Sequence, residues 1–235
     1  MPEKLHKTQL SILRTLRRNP TARFTELMLP TGQESDTFKF HVRKLAQIGY
    51  IQKLPNGLYS LTVQGKEFAN NLNEQKRATQ KQPKLSVVLI VAKPGQAGEP
   101  LYLFQKRLRQ PYYGYWGHMS GPVQWGEDLP ETARRELRKQ TGLTASFTVR
   151  AFHRSMDYSQ EEESLLEDKL FGILQAAEIS GELSDAWSGG HNQWMTVAEL
   201  VQQPDYFAPT LKFIELAQVG ESYTSEQLHY KANEY

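Results

Sequence analysis

Cysteine is absent from all 235 residues. That excludes a disulfide framework, thiolate metal sites and a thiol nucleophile together. Long apolar runs are absent as well. The longest, residues 85–92, has the length of a strand, against the ~20 residues that a membrane-spanning helix requires. The opening text, MPEKLHK, holds none of the apolar core of a secretory leader. No internal repeat is visible. With 23% charged and 39% hydrophobic residues, the composition is that of a globular chain. The expectation is a soluble, cytoplasmic protein with no membrane partner.

An excess of charge of one sign also looks absent, at a net +2, until the chain is divided. Residues 1–84 carry 15 Lys+Arg against 6 Asp+Glu, a net +9, whereas residues 85–235 carry 13 against 20, a net −7. Such asymmetry suggests that the first part meets a polyanion. Apolar periodicity supports the same division. Helical spacing runs from about residue 4 to 18 with Leu10, Leu13 and Leu16 on one face, and Asn19-Pro20 ends it. Residues 24–29 read as a second helix stopped by Pro30, and Ser35 or Asp36 caps a third whose stripe is Phe38, Val42, Leu45 and Ile48. Residues 50–54 and 58–61 flank Pro55-Asn56-Gly57 as a hairpin, and 63–72 reads as a closing helix. We therefore expect a first domain over 1–72, a polar linker over 73–84, a second domain over 85–220 and a polar tail over 221–235.

The order helix, helix, helix, hairpin, helix, with the text SDTFKFHVRKLAQIGYIQK followed by GLYSLT, resembles a winged helix-turn-helix domain of the ArsR/MarR type. The resemblance implies duplex DNA as partner, with the third helix in the major groove and the hairpin as wing. It places Thr37, Lys39, Phe40, His41 and Lys44 toward the DNA, Arg43 within reach of a phosphate, and Lys53 on the wing. Lys and Arg would supply affinity without sequence information, and polar groups near the helix start would read base edges. The plainer reading of the basic half is a solvated face or a protein contact.

The second part contains GPVQWGEDLPETARRELRKQTGL. This is similar to the Nudix box, G-x5-E-x7-R-E-U-x-E-E-x-G-U with U a bulky aliphatic residue. Gly121, Glu127, Arg135, Glu136, Leu137, Gly142 and Leu143 all fall in place. The implied fold is an α/β (α+β) Nudix sandwich with a mixed sheet between helices, so the whole chain reads as two domains, one mainly α and one mixed. In that family the box helix presents carboxylates to Mg²⁺ or Mn²⁺, which gives Glu136 and Glu127 as catalytic and metal residues if the protein is active. The resemblance also pairs Arg135 with Glu127. The box's consecutive glutamates, however, are Lys139 and Gln140 here. At about 5 Å and an effective dielectric of about 20, a lysine would repel a divalent ion by about 7 kcal/mol. Metal-dependent hydrolysis is thus expected to be weak or lost. Replacement acids stand at Glu161, Glu162, Glu163, Glu167 and Asp168, read as a loop between two strands.

A DNA-binding module joined to such a domain is similar in logic to Nudix-containing regulators of NAD metabolism that sense ADP-ribose, usually with the domains in reverse order. The expectation is a regulator, dimeric, whose second domain binds a small nucleotide-derived ligand. The alternative is a hydrolase of nucleoside-diphosphate-linked substrates with an accessory nucleic-acid-binding domain. Ligand contacts are expected from Arg107 and Arg109 toward a diphosphate, Lys139 in place of the metal, and Tyr113, Trp116 and Trp125, with Tyr112 and Tyr115, as stacking or lining groups.

Overall fold

A buried helix stripe organises the first half of the chain, and a strand buried on both faces organises the second. In the computed structural model, which describes residues 5–72, 82–96, 98–220, 222–232 and 234, the chain divides into two units between Lys81 and Gln82. Most of the expected linker, residues 73–81, lies outside the described residues. Lys84, its last position, opens a strand instead.

The first unit begins with α1 (Lys7–Arg18), whose cap His6 accepts from the Thr8 N–H while Gln9 reaches back to the His6 N–H. Next come α2 (Phe24–Met28), a 3₁₀ turn over Leu29–Thr31 and α3 (Ser35–Gln47). Neither Ser35 nor Asp36 caps α3; the cap position is Glu34, and no side chain bonds there. Strands β1 (Ile51–Lys53) and β2 (Tyr59–Leu61) form the hairpin, and α4 (Val63–Asn70) follows, capped by the Thr62 hydroxyl. Leu13, Leu27, Phe38 and Leu45 are fully buried in one core, as helical spacing of apolar residues requires.

The second unit runs β3 (Lys84–Ile90), β4 (Ala92–Pro94), β5 (Pro100–Arg107), β6 (Trp116–Gly117), β7 (Met119–Pro122), α5 (Leu129–Thr141), β8 (Thr144–Ser159) and β9 (Leu165–Ser180). It continues with β10 (Ala186–Trp187), β11 (Gly190–Met195), α6 (Val197–Val201), α7 (Pro209–Val219) and β12 (Tyr223–Tyr230). A mixed sheet is ordered β12-β8-β9-β3-β7, and β10-β11-β5-β4 forms an antiparallel second sheet with β6 beside β5. Strand β3 shows why its text is apolar without a break from Val87 to Ile90. Val87 and Leu89 join Ala133 and Leu137 of α5 in one core, whereas Val88 and Ile90 join Phe213 and Leu216 of α7 in another. A strand covered on both faces loses the polar alternation of a half-exposed one.

The stretch expected as a polar tail, residues 221–235, contains a strand from Tyr223 to Tyr230. Strand β12 pairs in parallel with β8 from Tyr223↔Phe152 to Tyr230↔Ser159. Its burial alternates residue by residue, although only Leu228 and Tyr230 of the less exposed face are apolar. The acids 161–168 are likewise only partly in a loop: β9 begins at Leu165 and includes Glu167 and Asp168. Leu137, fully buried between α5 and the mixed sheet, makes a direct test of this layering. Leu137→Ala should cost about 2–5 kcal/mol, read as a lower urea midpoint with unchanged m-value.

Candidate ligand site

The box loop and box helix are held together by one guanidinium. Helix α5 begins with Asp128 as cap, accepting from the Glu131 N–H while Glu131 accepts from Asp128 N–H, and it ends at Gly142 in the left-handed region (φ 76°). Arg135 on this helix donates to both oxygens of Glu127 at 2.6 and 2.7 Å, to the Pro122 carbonyl at 3.1 Å and to Oε1 of Glu136. The Arg135 bond, helped by the Thr132 hydroxyl, holds the Glu127 carboxyl down at about 2, and the same pairing raises Arg135. Glu136 is 2% exposed. Its Oε2 accepts from Gln140 Nε2 at 2.7 Å, and the Lys139 ammonium stands 3.7 Å away. Gln140 also donates to the Ser120 carbonyl at 3.0 Å. A Cβ on Gly121 would lie 2.3 Å from Glu136 Cγ, so only glycine lets the helix carboxylate pack against β7.

A cavity of about 350 Å³ opens on the α7 side of the mixed sheet. Its rim carries Lys84, Arg107, Arg109 and Lys169, and its lining also includes Glu167 and Asp157. Four cations against two anions leave a formal +2. Lys84 pairs with Glu167 at 2.7 Å, and Lys169 lies 3.5 Å from Asp157 and 3.7 Å from Glu167. Asp157, 4% exposed, accepts from the Tyr112 hydroxyl at 2.6 Å and the Ser155 hydroxyl at 3.0 Å. His118 also lines the cavity. Burial, partly offset by a 3.2 Å bond to the Thr210 carbonyl, lowers its pKa to about 4.

The structure sorts the expected residues. Arg107 and Arg109 line the cavity, as does Tyr112. Arg107 is also structural: it donates to the carbonyls of Arg109, Gln110 and Pro111, and burial beside Arg109 lowers it to about 10. Trp116 is no stacking platform, because it is a core residue at 5% exposure. Trp125 is 97% exposed and Tyr113 60%, and neither lines the cavity. Their rings project from loops, with the cavity walls built by strand residues, the 109–112 loop and the start of α7. Lys139 also lies outside the lining, held between Glu136 and the Trp187 ring at 5.5 Å. Of the replacement acids, Glu167 reaches the cavity, whereas Asp168 pairs with Arg154 and Glu161 accepts from Ala232 N–H.

In the first unit, Lys39, Arg43 and Lys53 surround one groove of about 340 Å³ between α3 and the hairpin. Thr37 and Phe40 are exposed, and Lys44 is half-buried. His41 is not on the outer face: it is 7% exposed and stacks on His6 at 4.5 Å. Position 41 stands three residues after Phe38 and four before Leu45, on the buried face of α3, so its ring packs against His6 at the start of α1.

The residues 82–217 match the NUDIX domain family model. The chain belongs to the NUDIX family. Among solved structures it is similar to the MutT protein of Bacillus halodurans, at 19% identity and TM-score 0.51 over 65% of this chain and 93% of that one. It is equally similar to the NUDIX domain of Shewanella oneidensis NrtR solved with ADP ribose, at 18% identity and TM-score 0.51 over 68% and 98%. A search of curated proteins returned no match.

NUDIX hydrolases generally use Mg²⁺ or Mn²⁺, and the donor set here does not fit one. Every oxygen of Glu127 and Glu136 already accepts from Arg135, Thr132 or Gln140. Among the described residues no group of three or more His, Asp or Glu side chains is arranged to hold a metal. Replacing Lys139 and Gln140 together by glutamate should place three carboxylates on one helix face. We expect lower stability in EDTA from their mutual repulsion, and a calorimetric Mn²⁺ signal that the parent protein does not give.

His118 makes the acid behaviour of this unit predictable. Its imidazole stays neutral when folded, so the unfolded chain takes up the proton first. Unfolding free energy should fall as pH drops from 6.5 to about 4, by at most about 3 kcal/mol. Buried His153, also lowered, adds to the same window, so His118→Gln should shrink the slope without abolishing it. Glu127 acts lower, its stabilisation being present above 4.5 and lost toward pH 2.

Proposed function

We propose that the protein is a DNA-binding transcriptional regulator whose NUDIX unit binds a nucleoside-diphosphate-type ligand of the ADP-ribose kind without efficient hydrolysis. One observation carries this reading. The box carboxylates that a hydrolase would offer to metal are consumed by Arg135 and Gln140, while a cation-rimmed cavity of ligand size remains, bounded on one side by Ser120, Gly121 and Pro122 at the start of the box. Lys84, Arg109 and Lys169 would take the diphosphate, with Glu167 giving up its partners to the ligand's oxygens. The NrtR structure with ADP ribose supports the choice of ligand class.

The first unit supports the DNA half of the proposal. Its element order is that of a winged helix-turn-helix domain, and its three groove cations lie on the helix and hairpin that such domains lay on duplex DNA. The Lys39–Asp36 ion pair at 2.9 Å is exposed and easily given up to a phosphate. Recognition of two half-sites by a homodimer is part of the proposal.

The test is one titration series on the full chain. Genomic duplex fragments should bind with salt-sensitive affinity, and replacing Lys39, Arg43 and Lys53 together by alanine should reduce the log–log salt slope by about 3. ADP-ribose should raise the melting temperature in EDTA and change the DNA affinity, and with Mg²⁺ supplied it should not be converted to AMP and ribose 5-phosphate. Metal-dependent turnover would favour the hydrolase, and no DNA binding at low salt would end the regulator reading.

A further inference from the structure

Strand β12 lies beyond residue 217, where the NUDIX match ends, yet two of its side chains line the cavity. Along β12, Thr224, Glu226, Leu228 and Tyr230 share one face and are the less exposed set, with Tyr230 8% exposed. Beside them on the same face, β8 carries an unusual row. His153, Ser155, Asp157 and Ser159, alternate residues of one strand face, are all buried and all polar. A sheet face turned to the interior is ordinarily apolar, and burying polar groups costs free energy unless they are hydrogen-bonded. Part of this row is satisfied by β12 itself: His153 bonds the Thr224 hydroxyl at 2.7 Å and Glu226 at 3.0 Å. The other end of β12 does something different. Leu228, in register with Asp157, and Tyr230, in register with Ser159, turn to the cavity. There the Tyr230 ring lies 4.8 Å from that of Tyr112, whose hydroxyl binds Asp157.

We propose that β12 is a built wall of the ligand site, anchored through His153, and that Leu228 and Tyr230 recognise the flat base moiety of the ligand. This rests on the ligand reading above and deepens it. The cavity then has two chemically distinct ends. Lys84, Arg109 and Lys169 at the rim suit a diphosphate, which any sugar or base could carry. The Leu228–Tyr230–Tyr112 wall offers aliphatic and aromatic surface that a diphosphate cannot use and a planar ring can. Selectivity between a dinucleotide-like ligand and bare phosphates would therefore reside in a segment outside the family's own domain.

The experiment is calorimetric titration of the full chain with two probes, ADP-ribose and inorganic pyrophosphate, in EDTA. Tyr230→Ala and Leu228→Ala should each weaken ADP-ribose at least tenfold and leave pyrophosphate within twofold, whereas Lys84→Ala with Arg109→Ala should weaken both. Tyr230→Phe, which keeps the ring, should bind ADP-ribose as the parent does, and circular dichroism with the melting temperature shows that each variant is folded. If the parent binds ADP-ribose and Tyr230→Ala and Leu228→Ala bind it equally well, or lose both probes alike, the wall has no such role and the inference fails alone. If the parent binds neither probe, the ligand reading itself fails and takes the inference with it.

Discussion

The NUDIX unit depends on Arg135. Its guanidinium joins the box loop through Glu127, the end of β7 through Pro122 and its own helix through Glu136. Planar and always charged, it can satisfy several oxygens at fixed angles, which a lysine cannot. Two carboxylates so close together, one of them nearly fully buried, would repel each other without it. Because the acids hold the loop, they are not free to hold a metal. Gln140 completes the substitution by giving the second Glu136 oxygen a neutral donor at 2.7 Å.

The cavity lies on the other side of the mixed sheet from the box helix. There β3, β8, β9 and β12 present a face that is apolar near α7 and polar toward the cavity. Ion pairs such as Lys84–Glu167 neutralise part of the rim charge and leave the formal surplus of +2. The surplus of positive charge at the rim is set against an acidic unit overall.

The three groove cations of the first unit stand in the same relation to their neighbours. Lys39 and Arg43, four apart on α3, share a face by helical geometry. Lys53 joins them only because the hairpin folds back beside that helix. The +9 of the N-terminal segment acquires direction through that packing.

Much of this protein was legible as text. Apolar spacing alone determined α1 and α3 and their buried stripes, the Pro55-Asn56-Gly57 turn set the hairpin, and the box spacing set the NUDIX fold and the loss of two glutamates, because each is a local pattern or a residue identity. Arg107, Arg109 and Tyr112 could also be picked out, lying in a basic, aromatic stretch just before the box. What the tertiary structure decided is which side chains converge. Trp116 and His41 went to cores and Trp125 to solvent, since burial is settled by elements distant in sequence. Lys84, Lys169, Asp157 and Tyr230 met in one cavity because four strands from separate parts of the chain pair in one sheet. The alternating polar row from His153 to Ser159 was a signal of that convergence, but in a single strand it reads equally as a solvent face. Only the packing of α7 over that face, with Phe213 5.2 Å from the His153 ring, and the pairing of β12 beside β8 turn it inward.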